Sequence, residues 1–345
     1  MTFLVLTAPT VPANDLDGST FLSAVASLRT LTNADLEQVN AAILENMSSS
    51  AAMIPDIANH LLKAGGKRIR PMLTIAAARA LGYDGDNHVK LAAAVELIHG
   101  ATLLHDDVVD ESSLRRGSTT ANVIWGNKES VLVGDFIFAR AFEFMVSADD
   151  LRVLQILSRA SSVIAEGEVL QLATQKNLDT TYDMYIDVVN AKTAALFQAA
   201  TQVAGVIAGD MDSEAALAEF GQNFGLAYQL IDDALDYAGF EDNLGKSIGD
   251  DFREGKMTLP VVYAVARSQP DEKEFWRRTI ADGRQHDDDL ERACALMARD
   301  DAVIDTIACA RRFAMRAASS LEKLPESVFR NALIDLVETS VARAA

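Results

Sequence analysis

Basic residues are scarce in this chain: 31 Lys and Arg stand against 50 Asp and Glu, a formal net charge of -19. Nucleic acids and anionic membranes require a basic face, so that deficit argues against either as a general partner. Any anion must be met by a local basic cluster. Cysteine is rarer still, with only Cys294 and Cys309, neither in a CxxC pair nor in histidine-rich company. A disulfide framework and a zinc site are therefore both unsupported, and a reducing cytoplasm fits. No uncharged apolar run reaches membrane-spanning length, and the nearest, Thr193 to Gly209, is interrupted by Gln198 and Gln202 and reads as a buried helix. The opening "MTFLVLTAPTVPANDLDG" lacks the basic start of a signal peptide and breaks at Pro9 and Pro12, so residues 1–20 read as a flexible arm.

Proline is absent between Pro71 and Pro260, and strand-like alternation is missing from that span, which is rich in Ala, Leu, Glu and Gln. The chain reads as nearly all-α. Helix breaks fall at Leu81 to Asn87, Arg115 to Thr120, Ser147 to Asp150, Lys176 to Thr181, Ala208 to Ser213 and Gly239 to Gly245, each with turn or N-cap chemistry. No Gly/Ser/Pro linker divides the halves, so residues 21–345 are expected to form one large helical bundle around a central cavity.

What the chain does have is aspartate in a repeated phrase: "LLHDDVVDE" (Leu103 to Glu111) and "LIDDALDY" (Leu230 to Tyr237). Neighbouring carboxylates repel unless a cation lies between them. On a helix Asp106, Asp107 and Asp110 share one side, and Asp232, Asp233 and Asp236 repeat the spacing. Each triad ends a strongly apolar helix. Such triads suit Mg²⁺, which takes a few carboxylate oxygens and leaves room for water and phosphate oxygens, so two facing triads would suspend a diphosphate between metal ions. A third acidic run, His286 to Asp289, lacks a spaced partner and reads as a solvated loop or helix start.

Cations suited to diphosphate anchoring stand near the triads. "GGKRIRP" (Gly65 to Pro71) holds Lys67, Arg68 and Arg70, and "RRG" places Arg115 and Arg116 just after the first triad. Lys192 interrupts an apolar helix, where an ammonium needs an anionic partner; a substrate diphosphate would supply one. Lys246 and Lys256 follow the second triad, with Asp250 and Asp251. His99 lies two turns before Asp106 on the same helix face, whereas His105 reads as a satisfied core histidine.

From Gly65 to Pro260 these motifs, in this order, resemble the trans-polyprenyl diphosphate synthases, above all the long-chain octaprenyl and decaprenyl types. The resemblance implies a homodimer that is Mg²⁺-dependent, with three ions. It also implies head-to-tail condensation of isopentenyl diphosphate onto an allylic diphosphate, farnesyl or geranylgeranyl, for quinone side chains. Asp106 and Asp110, supported by Asp107, would bind metal from one wall and Asp232, Asp233 and Asp236 from the other. Arg115, Lys192, Lys246 and Lys256 would grip the allylic diphosphate, while Lys67, Arg70, His99 and Arg116 hold isopentenyl diphosphate. Thr193, Gln229 and the Lys192 carbonyl would steady the allylic cation.

Short-chain relatives carry bulky aromatics at the positions of Ala101 or Thr102, and some bacterial ones have a two-residue insertion in the first triad; this chain has neither. Ala101, Thr102, Ile98, Leu97 and Ala94 are then expected to line an open product tunnel, with Phe136 to Met145 offering candidate plugs for its floor. A geranylgeranyl synthase and a non-catalytic regulatory subunit remain the alternatives, the latter disfavoured by intact aspartates. Membrane contact is expected to be peripheral at most.

Overall fold

The computed structural model describes residues 19–63, 66–238 and 249–344. The N-terminal arm, through residue 18, and the "GFEDNLG" break with Lys246 lie outside the described residues. Helix α1 (Ser19–Asn46) begins inside the arm's proposed limit. It is followed by α2 (Met53–Lys63), α3 (Ile69–Ala80), α4 (Asn87–Val109), α5 (Ala121–Trp125), α6 (Asn127–Ser147), α7 (Leu151–Thr174) and α8 (Tyr182–Val189). The second half holds α9 (Ala195–Ala208), α10 (Met211–Leu235), α11 (Asp250–Arg253), α12 (Leu259–Arg267), α13 (Pro270–Trp276), α14 (Asp289–Arg299), α15 (Ala302–Leu321) and α16 (Val328–Ala342).

The all-helical reading holds, and the proline-free span folds as long helices broken where turn chemistry was read. Asp150, Thr181 and Asp210 cap α7, α8 and α10 through their side chains. Two features were not foreseen. A two-residue antiparallel ribbon, β1 (Leu114–Arg115) with β2 (Ser118–Thr119), follows the first triad. Its turn has positive φ at Arg116 (54°) and Gly117 (75°), the sign pattern of a tight hairpin. The second feature is a π-helical turn, Asn190–Ala194, joining α8 to α9.

The core is alanine-rich. Ala76, Ala77, Ala78, Ala92, Ala93 and Ala94 are fully buried, so α3 and α4 approach closely. Helix α10 packs between α9 and α15, and α4 lies against α6. The "HDDD" run does start a helix, but it is not wholly solvated. Asp289 is 4% exposed and accepts from both Nη atoms of Arg278, at 2.8 and 2.6 Å.

Candidate active site

The buried faces of α4 and α10 carry both aspartate triads to helix C-termini, the negative end of the helix dipole. Nothing local favours carboxylates there; the cations around them do. In the first triad the three side chains, which share one side of the helix by spacing, are unequally buried. Asp107 is 3% exposed and accepts from Arg115 Nε at 2.7 Å, while Asp110 caps the helix and lies exposed. Burial raises the Asp107 carboxyl despite that guanidinium. Burial also lifts Asp106 to about 7, against the pull of Lys192 and with a push from Glu168 and Asp110.

Each carboxylate of the second triad meets a different group. Asp232 accepts from Arg343 Nη1 at 3.0 Å. Asp233 accepts from Tyr185 Oη at 2.6 Å and from Gln229 Nε2 at 2.8 Å. Asp236 accepts the Asp251 backbone N–H at 3.1 Å. Asp233 is lifted to about 7 by burial and then by the nearby Asp251 carboxylate.

The π-helical turn bridges the triads. Its extra residue swings Lys192 and Thr193 to the same side, where Lys192 Nζ meets Glu168 Oε2 at 2.7 Å and Thr193 Oγ1 donates to Gln229 Oε1 at 3.1 Å. The anion paired with Lys192 is thus Glu168, where sequence pointed to a substrate diphosphate. Gly167 makes this possible: a Cβ there would sit 2.7 Å from the Lys192 backbone nitrogen. Lys256 spans the other side, ion-paired to Glu254 and 3.8 Å from Asp251. Burial alone would lower its ammonium pKa, but Asp251 and Glu254 outweigh this and raise it, and Asp110 adds to the rise. Lys256 therefore feels Asp110 of the first triad while lining the same pocket as Asp233 of the second. A pocket of about 160 Å³ opens beside the second triad, lined by Tyr185, Lys192, Thr193, Gln229, Asp233 and Lys256.

The basic cluster gathers beside α4 and α10. Arg68, in a left-handed conformation, is ion-paired to Glu96. The Arg70 guanidinium lies 4.2 Å over the Phe197 ring with its Nε buried and unpartnered; burial lowers its pKa to about 10, still cationic at neutral pH. Gly66 abuts Arg116, whose Nη1 would lie 2.5 Å from a Cβ there. Burial, followed by Arg70, Arg116, Arg115 and Arg68, holds His99 well below its usual pKa, so its imidazole is neutral and surrounded by guanidinium groups. His105 donates Nε2–H to Val131 O, 3.2 Å away, and stands 3.5 Å from Asp135; its side chain is partly exposed rather than in the core.

Sequence reasoning missed Arg343. It is 7% exposed, lies 4.6 Å over the Phe21 ring and 4.9 Å over Tyr228, and has a buried, unpartnered Nη2. Lys67 Nζ lies 5.0 Å over the same Phe21 ring. A lone arginine in an alanine-rich segment carries no motif. Glu168 had a weak signal, since it and Gln171 stand three residues apart on one face of α7, with Gln175 just past the helix end. Along α4, Ala94, Leu97, Ile98 and Ala101 are buried, and Thr102 donates Oγ1–H to His99 O at 2.9 Å.

Among the described residues, no three His, Cys, Asp or Glu side chains already converge as a metal-holding group. The all-oxygen donors on the two walls nevertheless fit Mg²⁺, which completes its octahedron with water and substrate oxygens.

The polyprenyl synthetase family model matches residues 51–297. The chain is 46% identical to the octaprenyl diphosphate synthase of Escherichia coli over 314 residues, covering 91% of this chain and 97% of that protein. A decaprenyl diphosphate synthase from Rhodobacter capsulatus superimposes with a TM-score of 0.90 at 51% identity, over 93% of this chain and 99% of that one. A polyprenyl synthase from Caulobacter crescentus, complexed with calcium and isoprenyl diphosphate, gives 0.89 at 51% identity, over 93% and 98%. With two aspartate walls, lysines between them and a basic cluster alongside, the chain belongs to the polyprenyl synthetase family, whose members are Mg²⁺-dependent prenyltransferases acting on isoprenyl diphosphates.

Proposed function

We propose that this protein elongates an allylic diphosphate, farnesyl or geranylgeranyl, with isopentenyl diphosphate to a long trans-polyprenyl diphosphate, octaprenyl to decaprenyl in length. The observation that carries this is the π-helical turn that sets Lys192 near Asp106 of the first triad and Thr193 on the Gln229–Asp233 pair of the second, beside a separate basic cluster. The octaprenyl and decaprenyl synthases among its relatives favour the long product.

Three Mg²⁺ ions, held by Asp106 and Asp110 on one wall and Asp232 and Asp236 on the other, would neutralise the departing diphosphate. Asp107 and Asp233, whose oxygens are engaged by Arg115 or by Tyr185 and Gln229, support these ligands from behind. Lys192, Lys256 and Arg115 bind the allylic diphosphate, joined by Lys246. Lys67, Arg70, Arg116 and neutral His99 bind isopentenyl diphosphate, His99 through its N–H. The Thr193 oxygen, the Gln229 carbonyl and the Lys192 carbonyl face the allylic carbon as its bond to oxygen breaks, and the apolar walls keep water from quenching the cation. The isopentenyl double bond attacks, and the released diphosphate takes the proton. The growing chain descends along Ala101, Thr102, Ile98, Leu97 and Ala94.

The protein acts as a homodimer through α6 and α7, which expose Leu132 (67%), Val146 (62%) and Val169 (67%). No helix among the described residues is long and apolar enough to cross a membrane. The test is incubation of purified protein with Mg²⁺, labelled isopentenyl diphosphate and farnesyl or geranylgeranyl diphosphate, with products sized by chromatography. Products of C40 to C50 support this reading; no elongation with any primer overturns it.

A further inference from the structure

Tyr185 belongs to no motif, yet it is 5% exposed at the pocket beside the second triad, with its phenol aimed at a triad carboxylate. Asp233 is buried, and both of its oxygens are engaged within the protein, one by Tyr185 Oη at 2.6 Å and the other by Gln229 Nε2 at 2.8 Å. Asp233 is the acceptor of both bonds, so the end of the Gln229 amide facing it is the NH₂. The carbonyl end then points to Thr193, which donates its hydroxyl hydrogen to Oε1 at 3.1 Å. The direction of donation along Thr193, Gln229 and Asp233 is thereby fixed from its far end.

Were Asp233 free to rotate, the amide of Gln229 could turn over, because its two ends have nearly the same shape. Its hydrogens would then face the place where an allylic cation forms, and the Thr193 hydroxyl would lose its acceptor. A rigid acceptor prevents this, and the buried phenol on α8, bonded to Asp233 at 2.6 Å, makes Asp233 rigid.

We propose that Tyr185 is a positioning residue: it pins Asp233 as the acceptor that sets the polarity of the Gln229 amide, so that carbonyl and hydroxyl oxygens rather than N–H groups face the reacting carbon. This rests on the condensation proposed above. It assigns Asp233 to orienting Gln229 rather than to binding metal. Tyr185 acts entirely through Gln229.

A double-mutant cycle on the full-length protein tests it, using Tyr185→Phe, Gln229→Met and both together, with kcat, KM for each diphosphate, Mg²⁺ dependence and Tm measured for each. Tyr185→Phe should lower kcat by about tenfold, as for one charge-assisted hydrogen bond, while both KM values and the Mg²⁺ requirement stay within about twofold. In the Gln229→Met background the same change should leave kcat unaltered, although its effect on Tm persists in both backgrounds. If Tyr185→Phe fails to fold, Asp233→Asn replaces it in the cycle, since it removes an acceptor at almost unchanged size. Independent, multiplying losses of kcat would overturn the inference, as would a changed Mg²⁺ requirement, while leaving the condensation itself intact. A wild-type protein that elongates no primer would overturn both.

Discussion

Burial holds the Asp106 and Asp233 carboxyls at about 7, against the pull of Lys192 on the former and with the Asp251 carboxylate adding to the rise of the latter. An unfolded chain releases those protons near pH 4, so the folded state binds them more tightly. The stability this confers is complete below about pH 4 and is lost as pH climbs through about 7. Metal-free protein should therefore become easier to denature across that window. Asp106→Asn should flatten the slope and raise Tm near neutrality by a few degrees, about 2–4 °C for each kcal/mol relieved. Denaturation curves at several pH values check this; an unchanged slope would mean Asp106 is ionised throughout. Ala101 is 1% exposed on the helix that ends in the first triad. Ala101→Phe should shorten the product to roughly C20 if the chain passes there, read by chromatography, because an aromatic ring fills about a tunnel's width. The aspartates and basic motifs were legible in sequence because their chemistry depends on local spacing. Arg343, Tyr185 and Glu168 were not, since each gains its meaning from a contact with a residue 24 to 111 positions away.

Helix breaks were legible at the scale of elements because caps and turns are local chemistry. The π-helical turn was not: an added residue in a helix leaves no compositional mark, and only the aim of Lys192 and Thr193 reveals it. Its seat against α7 depends on Gly167. A methyl group there would press on the Lys192 backbone, which has no flexible end to yield. Gly167→Ala should cost about 1–3 kcal/mol of stability as an overpacked contact. It should also lower kcat/KM for the allylic substrate more than for isopentenyl diphosphate, which steady-state kinetics would show. The ion pair of Arg343 with Asp232 ties α16 to α10. A divalent ion approaching Asp232 must compete with that guanidinium. Arg343→Met should therefore tighten Mn²⁺ binding in the absence of substrate by about tenfold, measured by paramagnetic resonance, given the strength of a charged hydrogen bond.

The whole molecule carries a net charge of -19, yet its proposed substrates are polyanions. The basic cluster attracts diphosphate at contact distance, whereas the remaining surface repels it from afar. Salt screens the distant term first, so kcat/KM for isopentenyl diphosphate should hold or rise as ionic strength goes from about 0.02 to about 0.15 M at fixed free Mg²⁺. A steep fall would show that long-range attraction governs capture. The helical class and unbroken bundle followed from the absence of proline and linkers, and both stand. The packing of distant helices around the cleft did not follow, because apolar faces specify burial without specifying a neighbour.

The match to the family model runs from residue 51 to 297, but Phe21 comes from α1 and Arg343 from the end of α16. Those two flanking helices stack an aromatic ring and a guanidinium beside Lys67 and Asp232. A minimal fragment trimmed to the matched segment would keep every recognisable motif and still be missing a side of its own reaction chamber.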